Sequence, residues 1–534
     1  MIQKLETLDL RWKTALIAGV LLAAGIFLEV AGRMQGSSGG TGLRVLAVAG
    51  VLGVLALTLQ ALFPLLRLSR VAIQRVLLSM QLASALVIVF FLPPFQGPDE
   101  IAHWQSAVQL YRRDPAAEPI LVWLPQITNA EDLPFHPERR FDPAVLRETP
   151  QNLPEGLPKK VGYASPLSYP AVAVVSVFFP RVQSLPEALT FYYLSRLLPI
   201  LALTGFLIWL VARLDVPFCV LFFLSLPLVQ QQCIVVSSDT LVNFSTIAAV
   251  VLTVLLWKNF SWPLWVMLTA LCLVATYAKV NVGALLLFPL LFLPWRRLPM
   301  KPLSIPALLF GVGVILYAAA RLVESKLSAS GGTVNDPATT QAQIAYLKTP
   351  GGFKYFLTIY WNFITSIWSM GTFSSYLGWL DTPLSNHHFF LLRWSCIFAI
   401  VLDLQRYLPR LIPLLQSCWK ELLIALGLAV SCFFIMSGVI CAIMFVCETP
   451  PGWGGFAGVQ ARYLFPPLLV ATLIPMLVFH RSDPTKLESE IWPPLQGFSK
   501  WTEWPALAFC LGALPFLLGA RVIQLFIDIT QRFW

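Results

Sequence analysis

The chain has 534 residues, of which 57% are hydrophobic and only 12% charged, and its mean hydropathy is +0.73. A soluble globular domain carries about 25% charged residues, so composition excludes that class and indicates an all-α polytopic integral membrane protein. The formal net charge of +10 is no sign of nucleic acid, because basic residues of such proteins gather in cytoplasmic loops and set topology.

Met1 to Thr14 leads into an uncharged apolar run without an A-x-A-like exit, so the first span reads as an anchor, not a cleaved signal. A span needs roughly 20 mostly apolar residues, and about thirteen candidates are present. Their centres lie near Leu22, Leu55, Leu86, Thr204, Leu224, Val250, Leu271, Leu287, Gly313, Phe398, Ala429, Val470 and Leu514. Two large hydrophilic loops, 95–192 and 323–387, leave after the third and ninth spans and so share a side. With the N-terminus inside, the inner segments hold most Lys and Arg. The short outer loops keep Arg33, Arg44, Lys279 and Arg462, and an outer C-terminal tail adds Arg521 and Arg532. The asymmetry turns both large loops outward, to the periplasm or cell exterior of a cytoplasmic membrane. The apolar run Tyr169 to Pro180 is too short to span comfortably and suits an interfacial or re-entrant helix. The nine cysteines show no CxxC pair and read as buried apolar side chains.

Where the third span ends, "FFLPPFQGPDEIAHW" places Asp99 and Glu100 together, with His103 one turn on. Two readings stay open. Carboxylates in a first helical turn are favoured by the helix dipole and would cap it. On a helix, Asp99 and Glu100 also share a face with His103. A carboxylate fixed at the bilayer exit can serve as general base toward an acceptor in hydrogen-bonding reach. These three could also hold a divalent cation, Mg or Mn, though one short stretch is a weak ligand pattern. "GYASPLSYP" adds Tyr163 and Tyr169, either as a belt anchor or as part of the same surface. Asp239 in "QQQCIVVSSDTLVN" either caps the next helix or faces Asp99. Near the end, "GGFAGVQARYLFPP" carries Arg462 and Tyr463. An outward arginine there, like Lys279, suits a phosphate at the membrane surface or simply reaches lipid headgroups. Asp381 in "GWLDTPL" and the pair His387–His388 have no readable role.

Together, "GPDEIAHW", "YASPLSYP", "VSSDTLVN", "GWLDTPL" and "GVQARYLFPP" resemble a bacterial domain-of-unknown-function family grouped with the GT-C superfamily of membrane glycosyltransferases. The resemblance runs from about Phe90 to Pro467. It implies a GT-C-like fold with two outer loops that carry interfacial helices. Two extra N-terminal spans and a linker would occupy 1–75, the catalytic core 76–322, the second outer loop 323–387 and the C-terminal helices 388–534, with a donor-phosphate region near 454–467. It implies Asp99 as catalytic base, with Glu100 beside it and His103, Asp239, Tyr163 and Tyr169 in support. The donor would be a sugar on a polyprenyl phosphate, its phosphate held by Arg462, Lys279 and Tyr463. The acceptor would be a cell-envelope glycan, lipid or protein. The second acidic motif of the superfamily, which assists or binds metal, falls on Asp239. It stands alone and not in the Asp-x-Asp pair of oligosaccharyltransferases, so the resemblance leaves metal dependence open. A transporter or flippase of a lipid-linked glycan is the competing class. A non-catalytic subunit of an envelope assembly complex would keep the same fold.

Overall fold

The computed structural model describes residues 70–97, 99–134, 141–146, 168–214, 216–291, 337–369, 382–447, 461–480 and 505–534, with further positions within 136–158, 376–377 and 449–456. The expected spans centred at Leu22, Leu55 and Gly313, and the residues Tyr163 and Asp381, lie outside the described residues. From the N-terminal side the helices are α1 (Arg70–Phe91), α2 (Glu100–Tyr111), α3 (Pro119–Val122), α4 (Leu124–Ile127), α5 (Pro170–Phe178), α6 (Leu185–Arg213), α7 (Phe218–Leu224), α8 (Pro227–Ile234), α9 (Ser238–Lys258), α10 (Trp262–Ala278), α11 (Leu287–Leu291), α12 (Pro337–Leu347) and α13 (Pro350–Ser369). A two-residue antiparallel pair follows, β1 (Tyr376–Leu377) with β2 (Thr382–Pro383). Then come α14 (Asn386–Cys447), α15 (Phe465–Ala471), α16 (Leu473–His480) and α17 (Pro505–Phe533).

Among the described residues three helical stretches are long and apolar enough to cross a membrane: Leu185–Arg213, Ser238–Trp257 and Leu422–Val446. The first begins on a capping box, in which Ser184 Oγ accepts from the Glu187 amide while Glu187 reaches back to the Ser184 amide. Along it Leu194, Leu201 and Ile208, seven residues apart, are exposed, whereas Leu203, Leu207 and Leu210 are buried. One apolar stripe thus faces outward and another packs inward, as expected of a helix with lipid on one side.

Three expectations about the spans need correction. The span centred at Leu224 is two short helices, α7 and α8, broken at Ser225–Leu226. Pro227 disfavours helix at the residue before it and lacks an amide donor. Both ends of α7 are held by charges from other helices. Asp403 accepts from the Phe218 and Cys219 amides at 3.0 and 2.8 Å, and Arg521 donates to the Ser225 carbonyl at 2.8 Å, each charge matching its end of the helix dipole. The spans centred at Phe398 and Ala429 belong to one continuous helix, α14, with no loop between them. The helix runs on through Pro409 and Pro413. Finally, Arg521 is not in a tail. It lies inside α17, is 1% exposed, and packs on the broken helix.

The first large loop is a packed layer with its own core. Phe95, Trp104, Leu121, Val172, Phe191 and Tyr192 all bury there, and Trp104 Nε1 donates to the Leu121 carbonyl at 3.0 Å. A buried aromatic of this kind contributes about 1.5–3 kcal/mol through lost apolar surface. The layer is tied to the far end of α17. The Phe141 amide donates to the Phe533 carbonyl at 2.6 Å, Arg532 Nη2 to the Leu133 carbonyl at 3.0 Å, and Trp534 Nε1 to the Phe91 carbonyl at 2.8 Å. The apolar run after Tyr169 forms the nine-residue α5, about 14 Å long, less than half the hydrocarbon thickness of about 30 Å. Val172 and Val175 bury against the layer while Val177 and Phe178 are exposed. In the second loop, Phe353, Leu357 and Trp361 of α13 are exposed at helical spacing, and Tyr360 Oη meets Ser437 Oγ of α14 at 2.7 Å.

Candidate functional site

The chain leaves α1 through a short, strained loop. Phe95 and Asp99 both have left-handed backbone, φ 62° and 58°. A non-glycine residue held there costs of order 1–3 kcal/mol and persists only where its surroundings enforce it. The enforcing contacts are visible. The Phe95 amide donates to Tyr192 Oη at 2.8 Å, and the Phe95 ring packs on Tyr192 and Trp104, centroids 4.4 and 5.7 Å away. Gly97 lies so close to the segment after α8 that a Cβ would sit 2.4 Å from Val235 Cγ1 and 2.9 Å from Val235 Cβ. The Val235 Cβ is fixed to the backbone and cannot swing away. Gly97→Ala should therefore destabilise the protein by about 1–3 kcal/mol, the range for overpacking; an unchanged thermal unfolding midpoint would show that the loop can back away from Val235.

Glu100 organises the loop. Its carboxylate is fully buried and accepts from the Gly97 amide (3.0 Å), Arg196 Nε (3.0 Å), Arg196 Nη2 (2.7 Å), Tyr192 Oη (3.1 Å) and the Val236 amide (3.1 Å). Arg196 Nη1 also donates to the Leu92 carbonyl at 3.2 Å, and its guanidinium lies 4.9 Å from the Tyr192 ring. A carboxylate offers about four lone-pair sites, so Glu100 has no acceptor capacity left for a substrate proton. Glu100, expected to act beside Asp99, is thus placed as an anchor of the loop. Through Val236, three residues before Asp239, it joins the two acidic motifs.

Asp99 is different. It occupies the position before α2, yet its side chain makes no capping hydrogen bond, and it is half-buried. The capping reading of Asp99 therefore has no side-chain support. His103, one turn on, is buried with Nδ1 2.7 Å from Tyr169 Oη, the residue that starts α5. Burial pushes the Tyr111 phenol above its ordinary value, and its hydrogen bond to the Tyr169 backbone opposes the shift. His103 and Tyr111, through Tyr169, thus link α2 to α5.

Asp239 lies in the first turn of α9, where Ser237, not Asp239, is the cap: Ser237 Oγ accepts from the Asp239 amide at 3.2 Å. The Asp239 carboxylate pairs with Lys279 at the end of α10. The Lys279 ammonium also sits 4.5 Å from the Tyr463 ring centroid, a cation–π contact. Three residues singled out in separate motifs therefore meet. Arg462 shares the turn Ala461–Leu464 with Tyr463. Of the three residues expected as cation ligands, Glu100 is taken up by Arg196, while the Tyr169 hydroxyl occupies His103 Nδ1 and leaves Nε2. Among the described residues no three His, Cys, Asp or Glu side chains gather.

Arg196 and Tyr192 were not singled out from sequence. Arg196 is the lone charge between Glu187 and Arg213 in an apolar helix, and an ionisable residue so placed signals a buried partner. That signal identifies the residue but not Glu100 as its mate.

A family model for a predicted membrane protein, DUF2142, matches residues 82–471. The chain belongs to the DUF2142 family. No curated protein and no solved structure matches it. In this DUF2142 protein Asp99, Glu100, Arg196, Asp239, Lys279 and Tyr463 all fall inside the matched residues, whereas α17 lies beyond them.

Proposed function

We propose that this DUF2142 protein is an inverting membrane glycosyltransferase of GT-C type. It would move a sugar from a polyprenyl phosphate to a cell-envelope glycan, lipid or protein on the outer face of the cytoplasmic membrane. The observation that carries the reading is the coupling of the two acidic motifs. A saturated, buried Glu100 holds Asp99 on one side and, through Val236, the start of the Asp239–Lys279–Tyr463 group on the other. In the reaction, Asp99 takes the proton of the acceptor hydroxyl. The freed oxygen bonds to the anomeric carbon from the face opposite the donor phosphate. The bond from that carbon to the phosphate oxygen breaks, and the electron pair leaves with polyprenyl phosphate. Lys279, and Arg462 from the neighbouring turn, would offset the new negative charge. No step requires a metal ligand, and Asp239 serves here as the counter-ion of Lys279.

The deciding experiment incubates purified protein with a radiolabelled polyprenyl-phosphate sugar and an envelope extract. Label in an extract component, with release of polyprenyl phosphate, is the expected result. Lipid that crosses vesicles with its glycosidic bond intact would instead establish the flippase. Lys279→Ala should weaken donor binding about 10–150-fold, the loss of one charge-assisted contact. Overlaid titrations of variant and wild type would remove Lys279 from the phosphate site.

A further inference from the structure

Three consecutive glutamines, Gln230 to Gln232, sit in α8, an eight-residue helix with every residue buried. Gln230 reaches α1, where its Nε2 donates to the Gln81 carbonyl at 2.8 Å. Gln232 is placed differently. It is 0% exposed, and neither its Oε1 nor its Nε2 has a partner in the protein. Its backbone carbonyl accepts from Thr240 Oγ1 at 3.2 Å, which sets Gln232 against the first turn of α9 beside Asp239. Asn243 follows Asp239 by four residues and so shares its face of α9, about 6 Å further along the axis. It is 1% exposed, and its Oδ1 has no partner. Buried amide atoms left unpaired are destabilising. Gln232, through its backbone contact with Thr240, and Asn243, one turn on, flank the helix start that carries Asp239, the partner of Lys279.

We propose that Gln232 and Asn243 are specificity residues that hydrogen-bond the hydroxyls of an uncharged donor sugar; this rests on the glycosyltransferase reading. A carboxamide offers a donor and an acceptor without charge, which matches a hydroxyl that is also both. Lys279, already paired with Asp239, is the cation committed to the donor phosphate. A sugar with an ammonium or carboxylate would bring an unmatched charge into this buried corner.

The test measures binding of four lipids to detergent-purified protein by tryptophan fluorescence: bare polyprenyl phosphate, its neutral hexosyl conjugate, an amino-sugar conjugate and a uronic-acid conjugate. Wild type should bind the neutral conjugate about tenfold or more tightly than the bare lipid and than either charged conjugate. Gln232→Leu and Asn243→Leu should each remove about 3–10-fold of that preference, the share of one neutral hydrogen bond, and leave the bare lipid's affinity unchanged. If the variants keep the full preference, the amides hold only water and the inference is overturned. A wild type without preference for the neutral sugar overturns it too, and that measurement stands even if the variants fail to fold. A wild type that binds the bare lipid but gains nothing from the sugar sinks this inference alone. A wild type that binds none of the four sinks the glycosyltransferase reading with it.

Discussion

Arg196→Met should cost the protein about 3–5 kcal/mol, the largest stability loss expected of any single substitution at the site. Arg196 and Glu100 are both at 0% side-chain exposure and joined by two hydrogen bonds. Removing one partner of such a pair leaves the other as an uncompensated buried charge, and that residual charge sets the penalty. The loss also detaches the Leu92 carbonyl from its donor and frees the loop that carries Phe95 and Asp99. Early unfolding in a thermal melt, with faster proteolysis between residues 92 and 192, is the expected readout. Glu100→Gln should lose somewhat less, because an amide keeps part of the hydrogen bonding while its own NH2 group faces the guanidinium. The double variant Glu100→Gln, Arg196→Met should recover part of either single loss, since no ion remains unpaired. Arg196→Lys should rescue poorly, because a point charge cannot serve Oε1, Oε2 and the Leu92 carbonyl at once. An Arg196→Met protein that melts with wild type would mean that Glu100 finds its stabilisation elsewhere.

The sequence carried the membrane class, the short helix after Tyr169 and the acidic positions, because each is written locally in hydropathy, proline spacing or a cluster of carboxylates. It did not separate Asp99 from Glu100. The two are adjacent, and what distinguishes them is Arg196, 96 residues away, and Val236, 136 residues away. Their left-handed loop is equally a tertiary product: nothing local drives Phe95 to positive φ, and Tyr192 and Trp104 hold it there. Lys279 was legible as an odd-sided cation, but the same charge fits lipid, phosphate or a carboxylate, and only the fold supplied Asp239. The break in α7–α8 was available in Pro227 and was passed over because a hydropathy window averages across it. The continuous α14 is the converse case: the charges between Asp403 and Lys420, with Pro409 and Pro413, read as a loop, yet the helix runs through them.

Asp99→Asn should slow sugar transfer by about 10²-fold or more, the usual scale for a general base, while leaving stability unchanged. Asparagine tolerates left-handed backbone as aspartate does, and no side-chain cap is lost because Asp99 makes none. Asp99→Gly sharpens the test. Glycine adopts φ near 58° without the steric cost that any side chain meets there, so this variant should be as stable as wild type or up to about 1 kcal/mol more stable, and still inactive. A helix cap and a catalytic base give opposite patterns. Loss of a cap lowers stability by about 0.5–2 kcal/mol and spares chemistry; loss of a base spares stability and removes chemistry. Strain that is relieved together with activity would explain why the chain keeps aspartate at a position glycine fits better: the backbone distortion aims a carboxylate where the acceptor arrives. His103→Ala should fall between, lowering transfer less than Asp99→Asn, because His103 is bonded to Tyr169 and acts on the site by fixing α2 against α5. The measurement is a transfer assay on purified variants with a thermal melt of each. Asp99→Asn turning over at the wild-type rate would end the assignment of Asp99 as the base, whatever the melts show.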